Sequence, residues 1–279
     1  MTMVGQKTFG VGYEKAIILG TGYAMVTKCY NTCFTLSNGG EHFLVDAGGG
    51  NTILSNLEKS GIPINKIHNM FISHAHADHL LGAPWIIRAV IEATIGNRYE
   101  GNLNIYCHST IQNAITTICD FLYVRKFMEI FNKRIVFHQI FDKHEVVILG
   151  RKTIFLDNRS EKDLQYCFVT ELLNGKKLTF LGDEPYKEHM EKYVINSDYM
   201  CHEAFCLYSQ RDLFKPYEKY HATAMDACVT AQKLNVGTII LYHMDDLNLA
   251  DRKRLYTEEG RTVFEGKIYV PYDLDVIEL

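Results

Sequence analysis

The sequence predicts an α/β protein of αββα layering, with two mixed β-sheets packed face to face and helices on their outer faces. Three observations point that way. Short apolar runs bounded by glycine turns recur in both halves of the 279-residue chain. Within each half, strand follows strand, and helical patterns flank these runs instead of separating every pair. The hydrophobic content, 47%, is ample for the core that such layering needs, in one domain over residues 1–279.

The elements follow in order. "EKAIILGTG" reads as a strand entering a glycine turn, and "TCFTLSNGGEHFLVDAGGG" as a hairpin closed by "SNGG" and followed by a Gly-rich turn. "NTILSNLEKSG" starts on Asn-Thr, has helical spacing and stops on Gly. "KIHNMFIS" is a short apolar strand, and "DHLLGAPWIIRAVIEA" reads as helical. "NLNIYCHS" is a strand, followed by helix from Thr110 to about Asn132 with one break. Four strands come next: "EVVILG", "KTIFL", "YCFVTEL" and "KKLTFLGD". The last third predicts a helix near Pro185 to Tyr193, strand "DYMCHE", helix "ATAMDACVTAQKLN", strand "GTIILYH" and helix "LADRKRLYTEEG".

Composition excludes several classes. No run of 18 apolar residues exists, and "MTMVGQKTFG" has no apolar core, so neither a membrane span nor a signal peptide is expected. Eight scattered cysteines without C-x-x-C pairs read as reduced, mostly buried thiols, which places the protein in the cytoplasm. A net charge of −4 gives no global attraction to nucleic acid or anionic membrane. The basic run "VRKFMEIFNKR" reads as a solvated helix face.

Chemistry concentrates in "FISHAHADHLLG", where His74, His76, Asp78 and His79 fall within six positions directly after an apolar strand. Imidazole nitrogen and carboxylate oxygen suit Zn²⁺, Fe²⁺ or Mn²⁺. His74 and His76 can point at one ion, and Asp78 and His79, opening the next helix, at a second nearby. A histidine-rich surface loop is the bland alternative, but four polar groups hard against an apolar strand need partners.

"SHAHADHLLG" resembles the H-x-H-x-D-H signature of the metallo-β-lactamase superfamily. "KKLTFLGDEP" resembles its strand-Gly-Asp turn, which implies Asp183 as a ligand shared by both metals. "TIILYHMDD" implies His243 as the late histidine. Within the superfamily the ribonuclease Z-like branch fits best: "LGTGYA" and "FLVDAGGGNT" resemble its opening turns, "MCHEAF" its His-Glu-Ala element, and "YHATAMDA" its His-Ser-Thr element. The resemblance implies a metal-dependent hydrolase, specifically a phosphodiesterase. Metal-activated water attacks phosphorus, Asp78 ligates metal and accepts the water proton, and Glu203 holds His221 protonated as the acid for the leaving oxygen. The implied cofactor is Zn²⁺, one or two ions, with Fe or Mn as alternatives.

Two features depart from that pattern. The histidine expected between the middle strands is missing from "TIFLDNRSEKDLQYCF". Arg159 is placed in its slot, beside Asp157 and Asn158, where its guanidinium either weakens the His74/His76 metal or grips a substrate phosphate; the alternative is that Arg159 swings to solvent and Asp157 or a water fills the slot. The arm with which tRNA-processing members grip tRNA is also missing, since two strands joined by "NGKK" fill the stretch to Asp183. The expected partner is therefore a small or single-stranded phosphodiester, with neither tRNA nor membrane, and a homodimer is compatible with the sequence. The alternatives are a hydrolase of lactones or sulfate esters, and a metal-binding sensor whose catalysis is impaired by the lost histidine.

Overall fold

The computed structural model describes residues 14–279. They form two seven-stranded sheets. The first contains β1 (Lys15–Gly20), β2 (Cys33–Asn38), β3 (Glu41–Val45), β4 (Ile67–Phe71), β5 (Leu103–Cys107) and β6 (Ile135–Gln139). The second contains β7 (His144–Ile148), β8 (Arg151–Asp157), β9 (Tyr166–Glu171), β10 (Lys177–Phe180), β11 (Tyr199–Glu203), β12 (Thr238–Tyr242) and β13 (Lys267–Tyr269). The last strand, β14 (Val276–Glu278), returns to the first sheet, giving the orders β14-β1-β2-β3-β4-β5-β6 and β13-β12-β11-β10-β9-β8-β7. Each sheet is antiparallel in one half (β14 to β3, β7 to β10) and parallel in the other (β3 to β6, β10 to β13).

Both faces of each sheet are covered, so the strands are apolar on both sides, as parallel sheets require. In β3, Phe43 and Val45 point inward to the other sheet, while Leu44 points outward under the helices. In β4, Met70 faces outward and Phe71 inward. The space between the sheets is filled by aromatic rings, with Phe71 5.0 Å from Phe155 and Phe168 5.4 Å from Phe180 between ring centroids. Burying each such ring contributes roughly 1.5–3 kcal/mol. Helices α1 (Thr52–Lys59), α2 (Ala77–Leu80), α3 (Ala83–Ile95), α4 (Ser109–Leu122) and α5 (Arg125–Arg134) accompany the first sheet. With the second come α6 (Glu191–Val194), α7 (Arg211–Phe214), α8 (Ala224–Lys233) and α9 (Arg252–Gly260).

The αββα reading matches this architecture, but several elements differ from expectation. "DHLLGAPWIIRAVIEA" is two helices, α2 and α3, because Gly82 must pass the main chain after β3. A Cβ at Gly82 would lie 1.9 Å from the Ala47 carbonyl oxygen. Pro84, which has no N–H to donate, then sits in the first turn of α3. The second long helix breaks at Tyr123–Val124, both extended, and resumes as α5. The strand β6 was not expected, and near Pro185 to Tyr193 only the single turn α6 and a preceding 3₁₀ turn form. Seven cysteines are buried, Cys29 is half-buried, and none is in a disulfide among the described residues. No described helix is long and apolar enough to cross a membrane.

Candidate metal centre

The ends of the parallel strands supply the site. Beyond β4, a short loop leads through His76, itself extended, into α2, leaving His74 and His79 fully buried and Asp78 only 6% exposed. Beyond β10, Gly182 turns with φ +77°, a conformation that favours glycine, and delivers Asp183. Beyond β12, His243 itself adopts φ +56°, uncommon for a non-glycine residue and frequent at functional sites.

These loops bring six predicted residues together. Ligand-type atoms of His74, His76 and Asp183 lie within 4.8 Å of one another, and so do those of Asp78, His79 and His243. Asp183 Oδ2 is 3.6 Å from His74 Nε2 and 3.9 Å from His79 Nε2. Asp183 Oδ1 is 2.8 Å from His243 Nδ1. Asp78 Oδ2 is 3.3 Å from the Nε2 atoms of both His79 and His243. Asp183 thus stands between the two groups.

Asp46, beyond β3, has a role the sequence reading missed. Its carboxylate accepts from His79 Nδ1 at 2.8 Å, from the Ser73 amide at 2.8 Å and from the Ser73 hydroxyl at 2.9 Å. With the hydroxyl proton committed to Asp46, Ser73 Oγ can only accept from His74 Nδ1, 2.9 Å away. One buried carboxylate therefore orients both rings, His79 directly and His74 through Ser73, and turns both Nε2 atoms inward. The signal was present in "VDAGGG", an aspartate at a strand end, but its partners are remote in sequence.

The electrostatics divide the histidines. Burial, then the neighbouring His79, pulls His74 well below its ordinary pKa, and burial lowers His76. Burial also opposes charge on His79 and His243, but carboxylates outweigh it. Asp78 and Asp46 push His79 well up, and Asp183 with Asp78 raises His243 to about 9. Asp183 itself is held well below the carboxylate range despite burial, chiefly by His243 and His221. The pocket concentrates negative charge that protons or a metal cation can balance.

His221 lies beside this cluster, with Nδ1 3.7 Å from Asp183 Oδ1 and its ring stacked on Phe205 at 4.8 Å. Glu203 is fully buried, accepts a hydrogen bond from the Ala222 amide, and places Oε2 3.6 Å from His221 Nδ1, without a hydrogen bond between them. A cleft of about 420 Å³ opens over the centre, with Tyr23, Tyr220, Lys162 and Lys219 on its walls.

Arg159 is not among the residues that line the cleft. Its side chain is exposed, and its amide donates to Asp157 Oδ1 at 2.7 Å, which turns it outward at φ +51°. Asn158 is the buried neighbour, at 0% exposure. Its amide donates to the Gln165 carbonyl, and the next residue, Tyr166, donates to the Ser73 carbonyl, just before His74. Its Nδ2 would stand 3.4 Å from a Cβ on Gly182, just before Asp183. Asn158 Oδ1 is buried without a hydrogen-bond partner. The sequence alone leaves the slot open among Asp157, Asn158 and Arg159, because the exact end of β8 cannot be read from an apolar run.

The donor set fits divalent cations. His79 Nε2, His243 Nδ1 and Asp183 Oδ1 are buried without hydrogen-bond partners, although His243 Nδ1 and Asp183 Oδ1 lie only 2.8 Å apart. Convergent donors that satisfy no hydrogen bond are what a cation needs, and the N/O set is the one shared by Zn²⁺, Fe²⁺ and Mn²⁺.

Two mixed sheets with His and Asp ligands at their strand ends define the metallo-β-lactamase fold of ribonuclease Z-like type. The family model described as "Anti-Pycsar protein Apyc1" matches residues 15–256, and the chain belongs to that family. It is also 27% identical to a ribonuclease Z of Thermococcus sibiricus, over 95% of this chain and 96% of that protein. The metallo-β-lactamase fold protein YhfI from Bacillus subtilis superposes with a TM-score of 0.78 at 17% identity, over 96% of this chain and all of that one. Human tRNase Z, short form, superposes with a TM-score of 0.68 at 20% identity, over 95% and 98% of the two chains. The resemblance read from the motifs is therefore correct at the level of fold and branch. From Asn158 to Asp183 the chain is taken up by a short loop, β9, a tight turn and β10, with no inserted arm.

Proposed function

We propose that this protein is a metal-dependent phosphodiesterase that opens a small nucleotide phosphodiester, of the cyclic nucleotide class that its family degrades. The observation that carries this reading is the cleft. At about 420 Å³ it falls in the range of small-molecule sites and sets aromatic and cationic side chains directly over the His/Asp cluster.

Divalent metal at the cluster, when bound, lowers the pKa of water and offsets charge on phosphoryl oxygens. His74, His76 and Asp183 would hold one ion, and Asp78, His79, Asp183 and His243 the other. The chain's own groups supply the rest. Asp78 lies at the floor of the cleft, where it can take the proton of the attacking water. The Phe205 stack sets the plane of the His221 ring, and the buried Glu203 carboxylate faces its Nδ1 at 3.6 Å. His221 then gives a proton to the departing ribose oxygen, and a phosphomonoester leaves.

The test is hydrolysis of 3′,5′-cyclic nucleotides by metal-loaded protein, beside bis(p-nitrophenyl) phosphate, a lactone, an aryl sulfate and a precursor tRNA. Cyclic nucleotide turnover is expected, and Asp183→Ala or His243→Ala should abolish it together with most bound metal. His221→Ala should lower kcat by roughly 10²–10⁴ on the ribose leaving group. It should cost far less with p-nitrophenolate, which departs without a proton. Turnover confined to the lactone or sulfate, or efficient tRNA processing, would overturn the reading.

A further inference from the structure

The loop between β8 and β9 carries a cation that the mechanism above leaves unused. Lys162 Nζ stands 3.4 Å from the Asp183 carbonyl oxygen and 3.9 Å from Asp183 Oδ2, and its side chain is only 17% exposed. It shares the cleft with Asp78, His221 and His243.

The loop is built to hold it there. Glu184, next to Asp183 and fully buried, accepts a hydrogen bond from the Ser160 hydroxyl. Ser160 Oγ in turn accepts from the amides of Lys162 at 3.0 Å and Asp163 at 3.3 Å. A long flexible side chain costs up to about 2 kcal/mol of rotamer freedom to fix, so its ordering over the site needs a partner. The Asp183 carbonyl oxygen accepts one hydrogen bond from the ammonium, but the Asp183 carboxylate is a poor further partner, because it already faces four imidazoles within 3.9 Å. A metal is worse, since an ammonium and a metal cation a few Å apart repel unless an anion lies between them.

We propose that Lys162 forms, with the Asp183 side of the metal centre, a phosphoryl-binding subsite that takes the non-bridging oxygens of a phosphate ester. Its ligand class, a phosphate mono- or diester, rests on the phosphodiesterase reading. Glu184 and Ser160 are positioning residues that aim the ammonium.

Calorimetric titration of metal-loaded protein with inorganic phosphate tests this, with metal content measured on every sample. Lys162→Ala should bind phosphate about tenfold to a hundredfold more weakly, the range for a lost charge-assisted hydrogen bond, with metal content unchanged. Lys162→Arg should restore most of the affinity. Ser160→Ala should weaken phosphate binding in the native background and have no further effect on Lys162→Ala, a coupling that general loosening of the loop does not produce. Three results overturn the proposal: no phosphate binding by the metal-loaded native protein, equal affinity in Lys162→Ala, or a rise in its metal content, which would make Lys162 a competing cation. Lys162-dependent phosphate binding without phosphodiester turnover would leave the subsite standing and remove the proposed function. Turnover with a KM indifferent to Lys162→Ala would do the reverse.

Discussion

Asp46 carries the arrangement of two histidines at once, and its removal is predicted to be costly. Asp46→Asn keeps the size but offers His79 Nδ1 and the Ser73 hydroxyl a weaker, differently disposed acceptor. The metal should bind roughly 10- to 100-fold more weakly, as is typical when the group behind a ligating histidine is lost, which a competition titration with a coloured chelator would show. An unchanged affinity would mean that the two rings are held by packing alone. Asn158 gives a second prediction. Its Oδ1 is buried without a partner, so Asn158→His should raise metal stoichiometry toward two per chain, while Arg159→His, on an exposed side chain, should leave it unchanged. Metal analysis of both variants after dialysis decides between the two positions. Legibility in the sequence followed distance along the chain. His74, His76, Asp78 and His79 are legible because six positions hold all four. Asp183 and His243 are single residues, and only a family pattern could select them. Lys162 and Asp46 act through partners that only the folded chain brings near.

At the level of elements, β6 went unread because "IVFHQ" follows directly on the basic helix α5 with no turn residue between them. The split of α2 from α3 was hidden for the opposite reason. The apolar spacing continues across the break, and the cause is a contact with Ala47, on another loop. That contact makes Gly82 a sharp test of how the metal loop is held. Gly82→Ala must push α2 off the chain after β3, and overpacking of this kind costs typically about 1–3 kcal/mol. Urea unfolding should show that loss, and metal affinity should fall with it, because α2 carries Asp78 and His79. A destabilised protein with native metal affinity would show that α2 keeps its place without the Gly82–Ala47 approach.

For the molecule as a whole, the ligands come from loops on both sheets, His74 to His79 from the first and Asp183 and His243 from the second. A cation that binds only the closed arrangement stabilises it by mass action, by about 2.7 kcal/mol at a free concentration one hundred times the Kd. Chelation should therefore lower the melting temperature, and added metal should restore it in a concentration-dependent way. His243→Ala should blunt both effects. A melting temperature indifferent to chelator would place the bound metal outside the inter-sheet junction.

The mirrored strand orders also bear on time. The first sheet cannot be finished until β14, at the extreme end of the described chain, comes back to pair with β1. Contacts this remote in sequence slow the search for the native state. The chain's one tryptophan, Trp85, lies on α3 and reports the first half of that search. His243 reaches the centre only when the second sheet has closed. In refolding, tryptophan fluorescence should settle early, and the visible absorbance of a cobalt-substituted centre should rise last, marking the moment at which the two halves meet.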